Sequence, residues 1–431
     1  MLTRKTLKKE LGDITLTSSM IQKIEEWNSM LYGEAPWVDR YVSSMRIEEG
    51  ICREFADVVL SEMEVTISNE QLKEKFDKCM EDLPENFMDA LGLGSMCIRP
   101  LGDGTCEFVT ADRFIPIKFD SAGKVIDCAF IETVKVNDHK YHIRMERHSI
   151  TSGFLVITNK AFESDDSVHL KYQIPLDTEI QWENIPEEIS YPDMPYMDFG
   201  YYKNPLKNRI DNTPCGVSIF DAAISHIRRA DIQGARLDWE YESGERAVHV
   251  DSRVLRRTPD GSNGVAKLNR RLYRGLDMDD GKDPIKVFSP EYRDANLING
   301  LETYFRQIEF TVGLAFGDLS DPQSVEKTAE EVKTSKRRKY NRVNQIQNKL
   351  KDCIEDFVIG LAFHEGMLRS GYELTVAFHD SILTDEETDR QLMLSEIAAG
   401  IRSAWEYRVE YLGEDEQTAR NNVPVGGVLI E

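Results

Sequence analysis

A phosphate-cradling loop needs closely spaced glycines running into Gly-Lys-Ser or Gly-Lys-Thr at a helix start. Here Gly281-Lys282 is followed by Asp283, and Gly92 and Gly94 stand without a third glycine. A helix-to-strand turn accounts for that pair, and no nucleotide-driven motor is encoded. Zinc ligation needs Cys and His at short spacing. The seven cysteines are scattered with no Cys-x-x-Cys pair, which fits reduced, packed thiols. His139, His142 and His148 cluster in a strand region, where alternation puts His139 and His142 on opposite faces, so no metal is expected. No Gly-x-Ser-x-Gly elbow marks a serine nucleophile. Adjacent acids such as Asp279-Asp280, Asp385-Glu386-Glu387 and Glu414-Asp415-Glu416 are too common at this composition to indicate a glycosidase or nuclease. The expectation is a chain with no catalytic residues, no cofactor and no metal.

One stretch is unlike the rest. The net charge of -23 argues against a protein whose main task is gripping nucleic acid by its phosphates. Between 246 and 274, however, eight basic residues (Arg246, Arg253, Arg256, Arg257, Lys267, Arg270, Arg271, Arg274) face only Asp251 and Asp260. A sign inversion this local marks either a surface with its own partner or a solvated loop.

The elements that must carry this insert are legible as periodicity. Around it, 294–368 reads as two long helices joined by a polar elbow. Leu297, Leu301, Tyr304, Phe305, Ile308, Val312 and Ala315 form one stripe, with Asp294 as the expected cap and Gly317 as the expected stop. Val343, Ile346, Leu350, Ile354, Phe357 and Leu361 continue the rhythm in a helix expected over 324–363. That helix would be roughly 60 Å long, more than a compact domain needs. Its waist holds Lys333, Lys336, Arg337, Arg338, Lys339 and Arg342, so neither face there is expected in an apolar core. Before the insert, Phe220, Ile224, Ile227, Asp231, Ala235 and Trp239 share a helix face, with Ser218 as expected cap and Gly244 as stop.

The N-terminal part opens with helices. Thr17 and Ser18 precede one, Tyr41, Met45, Glu48, Cys52, Phe55 and Val59 line a second, and Ser68 with Gln71 reads as the capping box of a third. From residue 96 short β-rich runs follow, expected at 108–109, 114–119, 125–136, 141–146 and 154–158 as successive antiparallel strands of one meander. Residues 165–212, rich in proline and acids, read as an irregular connector. Near the C-terminus a strand at 374–378 leads to a helix capped by Thr384, which carries Leu392, Ile397, Ile401, Trp405 and Val409 and loosens at Gly400. The fold class is α+β. A length of 431 residues is enough for about three domains with real cores. No apolar run reaches membrane-span length and residues 1–13 are too charged for a secretory signal, so a cytosolic chain is expected.

Five segments resemble a known family. WNSMLYGEAPW, ADRFIPIKF, YYKNPLKNRIDNTPCGVSIFDAA, GLAFGDLSDPQSVEKTAEEV and HDSILTDEETDR are similar, in order and over almost the whole chain, to portal proteins of long-tailed phages and prophages of Gram-positive bacteria. The resemblance implies the portal fold: a wing over 1–216, stem helices over 217–243 and 294–316, and a small α/β clip over 244–293. A tunnel loop over 317–327, a long wing helix over 328–368 and a short helical crown over 369–431 would complete it.

It implies a homo-oligomer, usually a twelve-subunit ring at one capsid vertex. Double-stranded DNA would be packaged and ejected through its channel, and the protein would have no enzymatic activity of its own. The clip would dock the terminase large subunit and later the head–tail adaptor. Major capsid protein and scaffold would be further partners, with no membrane. The location implied is the virion, and the host cytoplasm during assembly. Stem packing would fall to Phe220, Ile224, Ile227, Leu301, Phe305 and Ile308, and the tunnel loop would present Asp318, Ser320, Asp321, Gln323 and Lys327. Docking or DNA entrance would fall to Arg253, Arg256, Arg257, Lys267, Arg270, Arg271 and Arg274. An acidic lining repels phosphates and suits a conduit through which any sequence slides. The competing expectations are a cytosolic nucleic-acid-processing enzyme using the basic 246–274 segment, or a structural head protein sharing only the helical patterning.

Overall fold

The computed structural model describes residues 1–61, 63–102, 104–245, 247–251, 273–276, 285–288, 291–321, 329–378 and 386–423. The chain is α+β. It opens with helices α1 (Arg4–Leu11), α2 (Ser18–Leu31) and α3 (Ile47–Leu60), strand β1 (Met63–Ile67), and helices α4 (Glu70–Met80) and α5 (Leu83–Leu93). Side chains capable of accepting from free N–H groups start three of them: Thr3 caps α1, Thr17 caps α2, and Asn69 caps α4 by accepting from Leu72 N. The α4 cap is therefore Asn69, one residue past Ser68. The α3 stripe also begins later than its pattern suggested, because Tyr41 and Met45 precede the helix and are exposed. Gly94 takes a left-handed conformation (φ 93°) that ends α5 and turns the chain into a strand, as the isolated Gly-x-Gly suggested.

The β region divides into two sheets rather than one meander. Strands β2 (Ser95–Pro100) and β3 (Cys106–Thr110) pair with each other, and β2 also pairs with β10 (Gly200–Lys203). A second sheet runs β4 (Phe114–Phe119), β5 (Val125–Asn137), β6 (Lys140–Thr151), β7 (Phe154–Ser164) and β8 (Gln173–Ile174), with β9 (Glu188–Tyr191) also on β7. The proline-rich connector thus contributes three strands, each short because its prolines lack the N–H that a longer ladder would need.

Helices α6 (Ile224–Ser243) and α7 (Asp294–Val312) flank a small sheet. In that sheet β11 (Ala247–Asp251) lies between β12 (Tyr273–Leu276), parallel to it, and β13 (Ile285–Phe288), antiparallel. Then come α8 (Ala329–His364), β14 (Leu374–Phe378), paired with β1, and α9 (Glu386–Ala398), α10 (Ala404–Leu412) and α11 (Glu416–Asn421). The C-terminal helical pattern is broken rather than loosened, since Gly400 (φ 73°) separates α9 from α10. Thr384 lies outside the described residues. Among the described residues no helix is long and apolar enough to cross a membrane.

The main core collects α1 to α5, the inner faces of both larger sheets, the start of α6, the end of α7, and α8. On α8, Val343, Ile346, Leu350, Ile354, Phe357 and Leu361 are all fully buried. All seven cysteines are free thiols, and all but Cys106 are buried. Helix α8 crosses the start of β10 at backbone contact. A Cβ on Gly200 would lie 2.1 Å from the Cys353 carbonyl oxygen, and one on Gly360 would lie 2.1 Å from that of Asp198.

A buried charge network fastens the end of α8 to the sheets. His148 Nδ1 lies 2.7 Å from Asp198 Oδ1 and its Nε2 lies 2.8 Å from Glu146 Oε1. His364, the last residue of α8, reaches the other oxygen of Asp198 at 3.0 Å. Arg99 from β2 and Arg144 from β6 both donate to Glu146. With a carboxylate at each ring nitrogen, His148 donates twice and is an imidazolium. Burial alone would lower its pKa, but Asp198 and then Glu146 outweigh that and raise it from 6.5 to about 9. His139 sits in the β5–β6 turn, so strand alternation does not govern it, while His142 is buried against Glu179.

A histidine whose pKa rises on folding stabilises fully below its unfolded value, and the contribution disappears as pH rises through the folded value. Between pH 6.5 and about 9 the folded chain should therefore lose on the order of 3 kcal/mol. Thermal melts across that range should show it, with His148→Gln less stable at neutral pH and flatter towards alkali. Parallel curves would remove the network's role.

Candidate functional site

The basic insert is carried by the antiparallel pair α6 and α7, so this pair and its two ends make up the candidate site. Helix α6 is entered through a single 3-10 turn at Asp221–Ala223, and Ser218 serves that turn by accepting from Phe220 N at 3.3 Å instead of capping the helix. Two tryptophans anchor its base. Trp27 Nε1 donates to Asp221 at 3.0 Å, and Trp37 Nε1 donates to Asp231 at 2.7 Å. Asp231 also accepts from Met45 N at 2.9 Å, which satisfies a carboxylate that is 1% exposed.

Along the pair, polar clamps set the spacing. Gln233 Nε2 donates to the Leu297 carbonyl at 3.0 Å, beside Gly300, where a Cβ would fall 3.0 Å from that nitrogen. Nearer the small sheet, the Glu240 carboxylate accepts from Arg293 N, Nε and Nη2 at 3.0, 3.1 and 2.7 Å. The cap expected of Asp294 is absent: Asp294 is the first helical residue, no side chain caps α7, and Glu240 instead holds Arg293, the residue just before it. The Arg293 side chain is largely exposed, so the pair orients the helix more than it stabilises it. Tyr292 OH donates to the Gly244 carbonyl at 3.1 Å, where α6 stops as expected.

Of the residues expected to pack the pair, Phe220, Ile227 and Ile308 are fully buried, while Ile224, Leu301 and Phe305 are half-buried. Trp239, placed on the same stripe by its spacing, is 65% exposed instead, and Ile298 and Phe310 are 40% and 71% exposed. The pair is narrower than the apolar surface it carries.

At the other end α7 stops at Gly313, which takes the left-handed conformation (φ 95°) four residues before the expected stop at Gly317. The following loop wraps around one carboxylate. Glu309 Oε1 accepts from Gly317 N, Leu319 N and Ser320 N at 3.1, 2.8 and 2.8 Å, and Ser320 Oγ reaches both its oxygens at 3.0 Å. Asp318 accepts from Ala315 N at 2.8 Å and pairs with Lys339, which also meets Glu54. Asp321 N donates to Glu302 at 2.9 Å.

Thus Ser320 is buried and Lys339 is only 8% exposed, so the elbow and waist are not uniformly wet. The apolar stripe could not reveal this, since the lysine is covered by two carboxylates brought in from α3 and the elbow. Gln323 and Lys327 lie outside the described residues. So do Arg253, Arg256, Arg257, Lys267, Arg270 and Arg271, while Arg274 lies in β12 with its backbone in register with His249.

Sequence reasoning missed Glu309, Gln233 and Glu240. Each is a polar residue on or beside an apolar stripe, and that placement was the available signal. Their carboxylates and amides are engaged by backbone groups or an arginine, so what the arrangement presents is two exposed helix faces and a tethered loop. No protein-family model and no curated protein matches the sequence.

Removing the Glu309 carboxylate leaves the Gly317, Leu319 and Ser320 N–H groups unmet, the last of them in a buried residue, at a cost of about 1–3 kcal/mol for that one. Glu309→Ala should speed amide hydrogen exchange at Leu319 and Ser320 while helix content is kept. Unchanged protection at both amides would show that the loop is held by something else.

Proposed function

We propose that the chain is a portal-type subunit, copies of which close into a ring around double-stranded DNA. The observation that carries this reading is the α6–α7 pair, which leaves Trp239, Ile298 and Phe310 exposed while joining a small sheet to a large folded body. Large apolar side chains on both helices of a pair are what a heterologous contact consumes, one face of each copy meeting a different face of the next. The five-segment resemblance supports the same reading from the sequence alone.

In this reading the small sheet is the clip that meets the packaging motor and then the head–tail adaptor, and the basic 246–274 segment gives it a charge opposite to the rest of the chain. On the same reading the Glu309-bound loop begins the segment facing the channel, held at its near end by the Glu309 carboxylate. The acidic bulk keeps the conduit from gripping phosphates. Packaging and ejection would then draw their energy from the docked motor and from the confined DNA, with the ring as passage and docking hub.

Electron microscopy of the purified full chain in negative stain tests this directly. End-on views should show rings with a central hole and a countable rotational symmetry. Uniform compact monomers at every concentration, or nuclease or ATPase activity in the purified chain, would count against the portal reading.

A further inference from the structure

The basic stretch of α8 is not neutralised evenly. Lys339 has two carboxylates, Glu54 and Asp318. Arg337 stands four residues before Asn341 and Arg338 four before Arg342, so these pairs lie on neighbouring rows of α8, and all four residues line one cleft. The last turn of α7 and its stop, with Phe310 and Gly313, form the facing wall, and between them is a cleft of about 400 Å³.

Among the described residues neither Arg337 nor Arg342 has an ion-pair partner. Arg342 is half-buried, and burial pulls its pKa below the ordinary value. Arg338 donates from Nη2 to the Leu314 carbonyl at 3.2 Å and lies 4.9 Å over the Phe310 ring, while its Nε is buried without an acceptor. Gly313 is part of the design: a Cβ there would lie 3.2 Å from Arg342 Nε, so the glycine lets the guanidinium settle against the helix end. Three arginines line this cleft with no carboxylate among its described lining residues, and on a chain of net charge -23 that is an arrangement an anion with several oxygens would relieve.

We propose that the cleft between α7 and α8 binds a phosphate group, clamped by Arg337 and Arg342, with Arg338 and Asn341 as further donors and Phe310 at its rim. The planar guanidinium fork matches phosphate oxygens, which a lysine would meet only as a point charge. The same oxygens are offered by a nucleic-acid backbone and by a free oligophosphate. The site belongs to the single chain and does not depend on ring formation, so it goes beyond the portal reading and can fail or stand separately from it.

Calorimetric titration of the full chain at low salt, with inorganic pyrophosphate and a short DNA duplex as probes, tests it. The wild type should bind pyrophosphate, and the double variant Arg337→Gln/Arg342→Gln should weaken binding roughly a hundredfold, about tenfold per guanidinium. Asn341→Asp, at an exposed position lining the cleft, should weaken it as well by adding a negative charge. Circular dichroism without ligand should be unchanged in both variants. Displacement of pyrophosphate by the duplex would identify the nucleic-acid backbone as the source of the phosphate, and retention in its presence would identify a free phosphate compound. Equal binding by wild type and both variants would overturn the proposal. So would a double variant that changes the sedimentation of the chain while binding pyrophosphate normally, because the arginines would then serve a carboxylate of a neighbouring copy.

Discussion

Helix α8 meets strand β10 backbone to backbone, and most of the structure depends on that contact. Gly200 and Gly360 permit it, since any side chain at either position would collide with a carbonyl of the other element. Once the helix lies there, its buried stripe closes the core over α3, α4 and α5, and its last turn brings His364 to Asp198. The cost of burying Asp198 and Glu146 is offset by His148, Arg99 and Arg144, so the joint is specific in geometry and fixed in direction. The other end of α8 then has a defined position, and Lys339 is delivered to Glu54 and Asp318.

The helix pair follows a different principle. Its spacing is held by Gln233, which donates to the Leu297 carbonyl, and by Glu240, which accepts from Arg293, while Asp231 fastens α6 to Trp37 and Met45. Polar clamps of this kind determine how two helices sit without using up their apolar surface. That is why the pair can be well defined in one chain while Trp239, Ile298 and Phe310 remain outside. A helix pair built this way keeps large apolar side chains exposed, and in the proposed reading a second copy of the chain would cover them.

Much of this was legible in the sequence because periodicity reports burial. The six positions expected on α8 from Val343 to Leu361 are all buried, and Thr17, Gly94 and Gly244 act at the boundaries their types suggest. What was not legible depends on partners distant in sequence. Strand β3 looked like the start of a meander, but its partner β2 is itself held by β10, about a hundred residues away, which no local pattern encodes. Asp294 and Ser218 looked like caps, yet α7 begins without a side-chain cap, its entry held by Glu240 on Arg293, and α6 is entered through a 3-10 turn. Lys339 looked solvated because its type usually is, and Glu309 gave no signal; only the tertiary structure brings the groups that allow both to be buried. Histidine pairing at His148 was likewise invisible, since Asp198 and His364 lie on other elements.

The central claim is that the exposed apolar faces of α6 and α7 are where copies of the chain meet. Light-scattering mass measurement of the wild type beside a variant carrying Trp239→Glu and Ile298→Glu tests it most directly. The account predicts a multi-subunit mass for the wild type and a mass of one chain, 49.4 kDa, for the variant, with unchanged circular dichroism. A variant that assembles to the same mass as the wild type would contradict it.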